Sequence, residues 1–259
     1  MGVLSEVYSY YNKVSAEKGV YGRSERGRPL VYFKFGSGAP VLLAQYAMHA
    51  REHITARLAL EQAKAFAKKD FAGTAYLLPL VNPDGVKMCE EGADFWKANA
   101  EGVDLNVNFP ARWGTGAQNK RAAGQSDYIG EFPLCAAESA ALAEFTARVK
   151  PDMTVSYHAK GEEIYWYFYQ GEPRLSRDRA LAEVAAKSTG YALRTPQGSA
   201  GGFKDWCVET LGIPAITVEV GGDGLSHPVG KEHLAAICEK NENLLFALLG
   251  ALKEEGYEG

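Results

Sequence analysis

The sequence predicts an α/β fold: a mixed, mostly parallel central sheet flanked by helices, in one domain spanning residues 1–259. Three observations predict it. Short apolar runs alternate with stretches of helical spacing, in a strand–helix–strand order joined by short turns. Hydrophobic residues make up 46 % of the chain and charged residues 23 %, a balance that supports a large core and excludes disorder. No internal repeat, low-complexity tract or linker divides the chain.

The elements follow in order. Residues 4–18 carry Val7, Tyr8, Tyr10, Tyr11 and Val14 at roughly helical spacing, and Gly19 ends the run. Residues 22–28, rich in glycine and arginine, read as a turn. Residues 30–35 and 41–46 read as neighbouring strands joined by Gly36-Ser37-Gly38. An amphipathic helix over 54–69 places Leu58, Leu60, Ala63, Phe66 and Ala67 on one side. A strand over 74–81 is closed by a turn at Asn82-Pro83-Asp84-Gly85. From 88 to 133 the periodicity fails. A long irregular segment in a compact chain is usually functional or disordered, and Phe95, Trp96, Phe109, Trp113 and Tyr128 favour an ordered, site-forming one. Regular pattern resumes with a helix over 136–149, a strand over 153–158, an apolar run over 164–169 and a helix over 175–187. A short helix over 203–211, a buried strand over 215–220 and one long closing helix over 231–253 complete the reading.

Charge and cysteine content bound the function. A net charge of −4 argues against a nucleic-acid surface. No apolar run approaches the length of a membrane span, and no basic-then-apolar leader precedes Val3-Leu4-Ser5, so a cytoplasmic protein is expected. The four cysteines (Cys89, Cys135, Cys207 and Cys238) are scattered without a C-x-x-C, and read as buried hydrophobes. No G-x-S-x-G elbow, phosphate loop or dinucleotide fingerprint is present.

The chemistry centres on Met48-His49-Ala50-Arg51-Glu52-His53, which follows the apolar run 41–47. An imidazole and a carboxylate three residues apart, leaving a tight strand-to-helix turn together, suit zinc. A catalytic zinc takes a third protein ligand and keeps a position open for water. The same residues also match H-x-x-E-H, in which both histidines bind zinc and the glutamate is the base. Two further strands end in chemistry-bearing residues: 154–157 at His158, and 216–218 at Glu219. In open α/β sheets functional groups gather at the carboxyl ends of strands. One strand-end histidine caps a turn as readily as it binds a metal, whereas His49, Glu52, His158 and Glu219 at matching positions are harder to set aside.

With these residues in view the chain resembles the zinc carboxypeptidases. The likeness rests on His49-Ala50-Arg51-Glu52, Asn82-Pro83-Asp84-Gly85, the segment Gly102-Val103-Asp104-Leu105-Asn106-Val107-Asn108-Phe109, Ser156-Tyr157-His158 and Thr217-Val218-Glu219-Val220, all in the family's order. The resemblance implies one zinc per chain held by His49, Glu52 and His158, with Glu219 as general base and His53 outside the ligand set. It also puts Lys97, after Trp96, where the family commonly carries an arginine that stabilises the oxyanion. Lysine keeps the charge and loses the planar two-pronged donor.

The chain departs from the family pattern at Val107. Digestive-type members carry an arginine directly after this asparagine, here Asn106, to grip the substrate's terminal carboxylate, and valine has no donor. The subgroup it looks closest to is the bacterial γ-D-glutamyl-L-diamino-acid peptidases and murein peptide amidases. Trp96-Lys97-Ala98-Asn99, Asn108-Phe109-Pro110-Ala111, Tyr128-Ile129-Gly130 and the stretch 198–206 support that. A murein-derived peptide with several carboxylates calls for cations, and Arg112, Lys120, Arg121 and Lys160 are the expected suppliers, with Arg51, Asn106 and Gln197 also facing substrate. Three other readings stay open: an ordinary zinc carboxypeptidase, a zinc amidohydrolase acting on small N-acyl amino acids, and a non-catalytic peptide-binding module. The last does not explain an intact zinc set with Glu219.

Overall fold

The structure is a computed structural model that describes residues 2–195 and 198–254. Its centre is one eight-stranded sheet: β1 (Glu17–Arg23), β2 (Pro29–Ser37), β3 (Val41–Tyr46), β4 (Gly73–Leu78), β5 (Met153–His158), β6 (Glu163–Tyr165), β7 (Ala192–Arg194) and β8 (Ala215–Glu219), in spatial order β1-β2-β4-β3-β5-β8-β6-β7. The four middle strands, β4-β3-β5-β8, are parallel, and β2 and β6 flank them antiparallel. The mixed, mostly parallel sheet predicted from sequence is what forms.

Helices cover both faces because the strands bury both. On β3, Leu42, Ala44 and Tyr46 face one core and Leu43 faces the other, the period-2 alternation of a pleated strand. The first core is closed by α1 (Val3–Lys13), α2 (Ile54–Phe66), α5 (Arg174–Thr189), α7 (Leu234–Asn241) and α8 (Leu244–Glu254). The second is closed by α4 (Ala137–Val149), α6 (Phe203–Trp206) and the long irregular segment, whose Val103, Leu105 and Phe109 are buried in it. No described helix is long and apolar enough to cross a membrane.

Several boundaries differ from the sequence reading, each for a local reason. The helix expected over 4–18 stops at Lys13, and the chain turns extended into edge strand β1, where Gly19 packs against Tyr32 in a space that a side chain would overfill. The turn expected over 22–28 contracts accordingly to the bend closed by Ser24 N donating to Arg28 O. Strands β2 and β3 are not neighbours, because β4 lies between them. The Gly36–Gly38 link steps over the start of β4, where Thr74 Oγ1 donates to Gly38 O at 2.7 Å and Gly73, at φ +97°, leaves room for Pro40 O. Asn82-Pro83-Asp84-Gly85 is no closing turn. Asn82 caps α3 (Pro83–Glu90), accepting from Gly85 N at 2.9 Å, with Pro83 in the first helical turn where its missing N–H costs nothing. The short helix over 203–211 is α6 followed by a wider π turn at Cys207–Leu211. The closing helix is broken between α7 and α8. Buried Asn241 donates to Tyr191 OH at 3.0 Å while its carbonyl accepts from Gln62, which draws that carbonyl out of the helical ladder.

Topology then positions the site. From β3 the chain crosses through α2 to β4 on one side, and β5 joins β3 on the other. The carboxyl ends of β3 and β5 therefore bound a switch-point crevice, where ligands bind in open α/β sheets.

Candidate functional site

Three residues beyond β3, His49 opens a single 3₁₀ turn, Ala50–Glu52, that carries its own side chain and that of Glu52 back over the crevice. His158 is the last residue of β5 and Glu219 the last of β8, and the ladder pairs them directly. Ladder register alone thus brings these two side by side, and β3 beside β5 brings His49 and Glu52 to them.

His49 Nδ1 lies 2.9 Å from Glu52 Oε1 and 3.1 Å from His158 Nδ1, and His158 Nδ1 lies 2.8 Å from Glu52 Oε2. All three residues are buried and their donor atoms fall within 4.8 Å of one another. His53 is not in this group, so the glutamate and not the second histidine of the motif joins the cluster.

The electrostatics match a cation. Burial would lower His49, but the charges of Glu52 and Asp104 outweigh it and raise its pKa to about 9. Burial would raise Glu52, yet His49 and His158 hold its carboxyl well below the usual range. The carboxylates thus hold a proton on His49, while burial, with the charge of His49, keeps His158 low; a dication answers to the same carboxylate field. Two imidazole nitrogens and a carboxylate aimed at one point are the donor chemistry of a catalytic zinc.

The surroundings brace this cluster. His49 Nε2 is 3.1 Å from Asp104 Oδ1, the carboxylate–histidine arrangement that fixes the tautomer and leaves Nδ1 free to ligate. Lys97 Nζ pairs with Asp104 Oδ2 at 2.7 Å and with Asp127 Oδ1 at 2.5 Å. Burial would lower its pKa, and these two carboxylates hold it above its ordinary value instead. The backbone explains its proximity: Ala50 N donates to Lys97 O and Arg51 N to Trp96 O, at 3.0 and 2.9 Å. Asn82 Nδ2 clips the same two loops together, donating to Met48 O and Ala98 O. Glu219 is half-buried beside the cluster, and burial, followed by the charge of Glu52, pushes its carboxyl up to about 8.

A cavity of about 350 Å³ opens at Glu219, lined among others by Lys97, Asn106, Val107, Thr217 and Lys204. A second, of about 190 Å³, adjoins it at Lys97 and Asp127 and is lined by Arg51, Phe95 and Asp104. Arg51 Nε is buried there without a hydrogen-bond partner among the described residues.

The other cations expected to face substrate stand elsewhere. Arg112 pairs with Glu209 at 2.8 Å and stacks 3.6 Å from the Tyr169 ring centroid, outside both cavities. Arg121 lies over Trp113 at 5.1 Å, and Lys120 is exposed; neither lines a cavity. Lys160 donates to Asp223. Gln197 lies outside the described residues. Sequence reasoning passed over Asp104, Asp127, Tyr165 and the buried pair Lys204–Asp205. Asp104 had a usable signal: a metal-binding histidine nearly always donates to a carboxylate or carbonyl, and this one stands two residues from Asn106.

A model of the zinc carboxypeptidase family matches residues 7–243. The chain is 33 % identical over 179 residues to gamma-D-glutamyl-L-diamino acid endopeptidase 1 of Lysinibacillus sphaericus, covering 61 % of this chain and 45 % of that one, so it spans under half the relative's length. It is 29 % identical over 246 residues to murein peptide amidase A of Escherichia coli K12, covering 90 % and 88 % of the two chains. The bovine thrombin-activatable fibrinolysis inhibitor, solved with a tick carboxypeptidase inhibitor, matches with a TM-score of 0.86 at 20 % identity over 97 % of each chain, a likeness of fold.

Proposed function

The chain belongs to the zinc carboxypeptidase family, and from that premise we propose that this metallopeptidase cleaves the amide bond between a γ-linked D-glutamyl residue and a diamino acid such as diaminopimelate in murein-derived peptides. The observation that carries the choice of bond is Arg51. A γ-linked D-glutamate keeps its α-carboxylate free on the acyl side of the bond, separated from the scissile carbonyl by three carbons, and an α-linked neutral residue has no such group. The Arg51 guanidinium, with its Nε buried and unpartnered in the cavity next to Lys97, suits that carboxylate. The names of the Lysinibacillus and Escherichia coli relatives point the same way, as does Val107, which offers no donor to an ordinary C-terminus.

The roles of the residues follow from their placement. His49, Glu52 and His158 would hold the zinc, which when bound polarises the scissile carbonyl and acidifies a water. Asp104 keeps His49 in the ligating tautomer. Glu219, at the end of β8 beside His158, takes the proton of the attacking water and returns it to the leaving amine. Lys97, fixed by its two carboxylates, presents a point of positive charge to the oxyanion.

The test is hydrolysis of L-Ala-γ-D-Glu-meso-diaminopimelate beside hippuryl-Phe and hippuryl-Arg, with products identified by mass. Release of diaminopimelate at the higher kcat/KM is expected. Faster turnover of either hippuryl dipeptide would return the protein to the ordinary carboxypeptidases.

A further inference from the structure

Outside the reaction cavity stands a bank of cations and aromatic rings that the chemistry does not use. Gly116, Ala117, Gln118 and Asn119 line the cavity. The two stems of the loop they tip, residues 112–113 and 120–121, lie outside it. A second route leads to the same place. Tyr165 lines the cavity, and Tyr169, further along the same segment, is 52 % exposed. Arg112 joins the two routes: its guanidinium lies 3.6 Å from the Tyr169 ring centroid, and its Nε pairs with Glu209 at 2.8 Å. On the other stem, Arg121 lies 5.1 Å from the ring centroid of half-buried Trp113, the residue after Arg112.

Folding alone gives little reason for this bank. Arg112 and Tyr169 both take left-handed backbone angles, φ +49° and +56°, a region that arginine and tyrosine rarely enter. Strain held at an exposed position points to a use at that position. A tyrosine ring propped by a guanidinium is a rigid, flat, amphipathic surface. Stacking uses the face of a guanidinium and leaves its N–H edge to donate, so Arg121 keeps its donors beside Trp113. Arg121 and Lys120 are exposed, and among the described residues neither has a carboxylate partner. The whole chain carries −4, so a polyanionic partner needs a local cluster of cations on which to settle.

We propose that this bank is a docking surface for glycan-linked, polymeric murein. Sugar rings pack on the platform of Tyr169 and Arg112, and carboxylates of neighbouring stem peptides meet Lys120 and Arg121. The proposal rests on the reading of the substrate as a murein peptide. Sugars and carboxylates occur together on that polymer, because every stem peptide with a γ-linked D-glutamate bears free carboxylates. The bank adjoins the cavity, so a docked strand presents one stem peptide to Glu219 while its neighbours rest outside. A free tripeptide has no neighbours to place there and gains nothing from the bank.

The experiment reads binding and hydrolysis separately. Zinc-loaded wild type, Tyr169→Asn, and the double change Lys120→Gln with Arg121→Gln are cosedimented with purified murein sacculi in the cold. The same proteins are assayed on L-Ala-γ-D-Glu-meso-diaminopimelate. Asparagine tolerates the left-handed backbone at position 169, so Tyr169→Asn removes the ring without adding strain. Each variant should bind sacculi about tenfold more weakly, with kcat/KM on the tripeptide within about twofold of wild type. Wild-type binding should weaken as salt rises. The exposed lysine–arginine pair decides the matter should Tyr169→Asn fail to fold. Unchanged binding in both variants overturns the proposal. So does a loss of tripeptide hydrolysis that matches the loss of binding, which a merely structural role would give. Equal competition by dextran sulfate of the same charge overturns it too, because the bank would then read charge and not murein. If sacculi bind through the bank while the γ-linked bond stays intact, the bond assignment falls and the docking surface stands. If the tripeptide is cut and sacculi do not bind, the docking surface falls by itself.

Discussion

Two walls of the site are held in place by different forces. The His49, Glu52, His158 and Glu219 wall stands on strand ends. His158 and Glu219 are partners in the β5–β8 ladder, and β3, which leads to His49, pairs with β5 over five residues. The opposite wall, with Lys97 and Asn106, is tied down by side chains that bond to backbone. Asn108 donates to Ile129 O and Phe132 O and accepts from Ala136 N, and Asn99 bonds Val103 N and Glu138. A ladder fixes position through many equivalent bonds, so chemistry that depends on tenths of an ångström belongs there. A loop knotted by a few asparagines changes its lining at little cost to the fold, which suits selection among substrates.

The comparison can be broken from either side. Replacing His49, Glu52 or His158 by alanine should abolish zinc retention, and turnover should fall to background with it. His53→Ala should keep the metal, since His53 is outside the cluster; metal analysis of protein never exposed to chelator reads both. Asp104→Asn crosses between the walls, because Asp104 braces a ligand and pairs with Lys97. It should weaken zinc about ten- to a hundredfold, measured by competition with a chromophoric chelator. Neutralising Lys120 or Arg121 should do least. Both lie outside the cavities, so KM for the murein tripeptide should move less than about twofold, within the range of exposed surface charges. A tenfold rise would extend the substrate site over that loop.

What was legible in the sequence divides along the same line. Periodicity carried the sheet, and strand-end position drew His49, Glu52, His158 and Glu219 together as candidates, while the family resemblance supplied their roles and set His53 aside. The order β2-β4-β3 was not legible: a Gly36–Gly38 link reads as a hairpin, and nothing local says that β4 will slip between the two strands. On the loop wall, charge by itself misled. Arg112, Lys120 and Arg121 looked like substrate cations, yet Arg112 is spent on Glu209 and Tyr169 and Arg121 on Trp113. Lys204 passed as an ordinary helix residue, because its burial comes from α6 packing against β5 and β8, contacts far apart in sequence.

The central claim is that Glu219, at the end of β8, carries the proton transfer while Arg51, in the 3₁₀ turn tied to Trp96 O, selects the peptide. Its most direct test is the steady-state split for Glu219→Gln and Arg51→Gln, side by side on L-Ala-γ-D-Glu-meso-diaminopimelate with zinc content verified. Glu219→Gln should keep zinc and fold and lose on the order of 10² to 10⁴-fold in kcat, the value of general acid–base assistance. Arg51→Gln should raise KM about tenfold or more with kcat nearly intact, the mark of uniform binding lost. A Glu219→Gln enzyme with near-normal kcat, or an Arg51→Gln enzyme whose loss falls on kcat alone, would contradict the account.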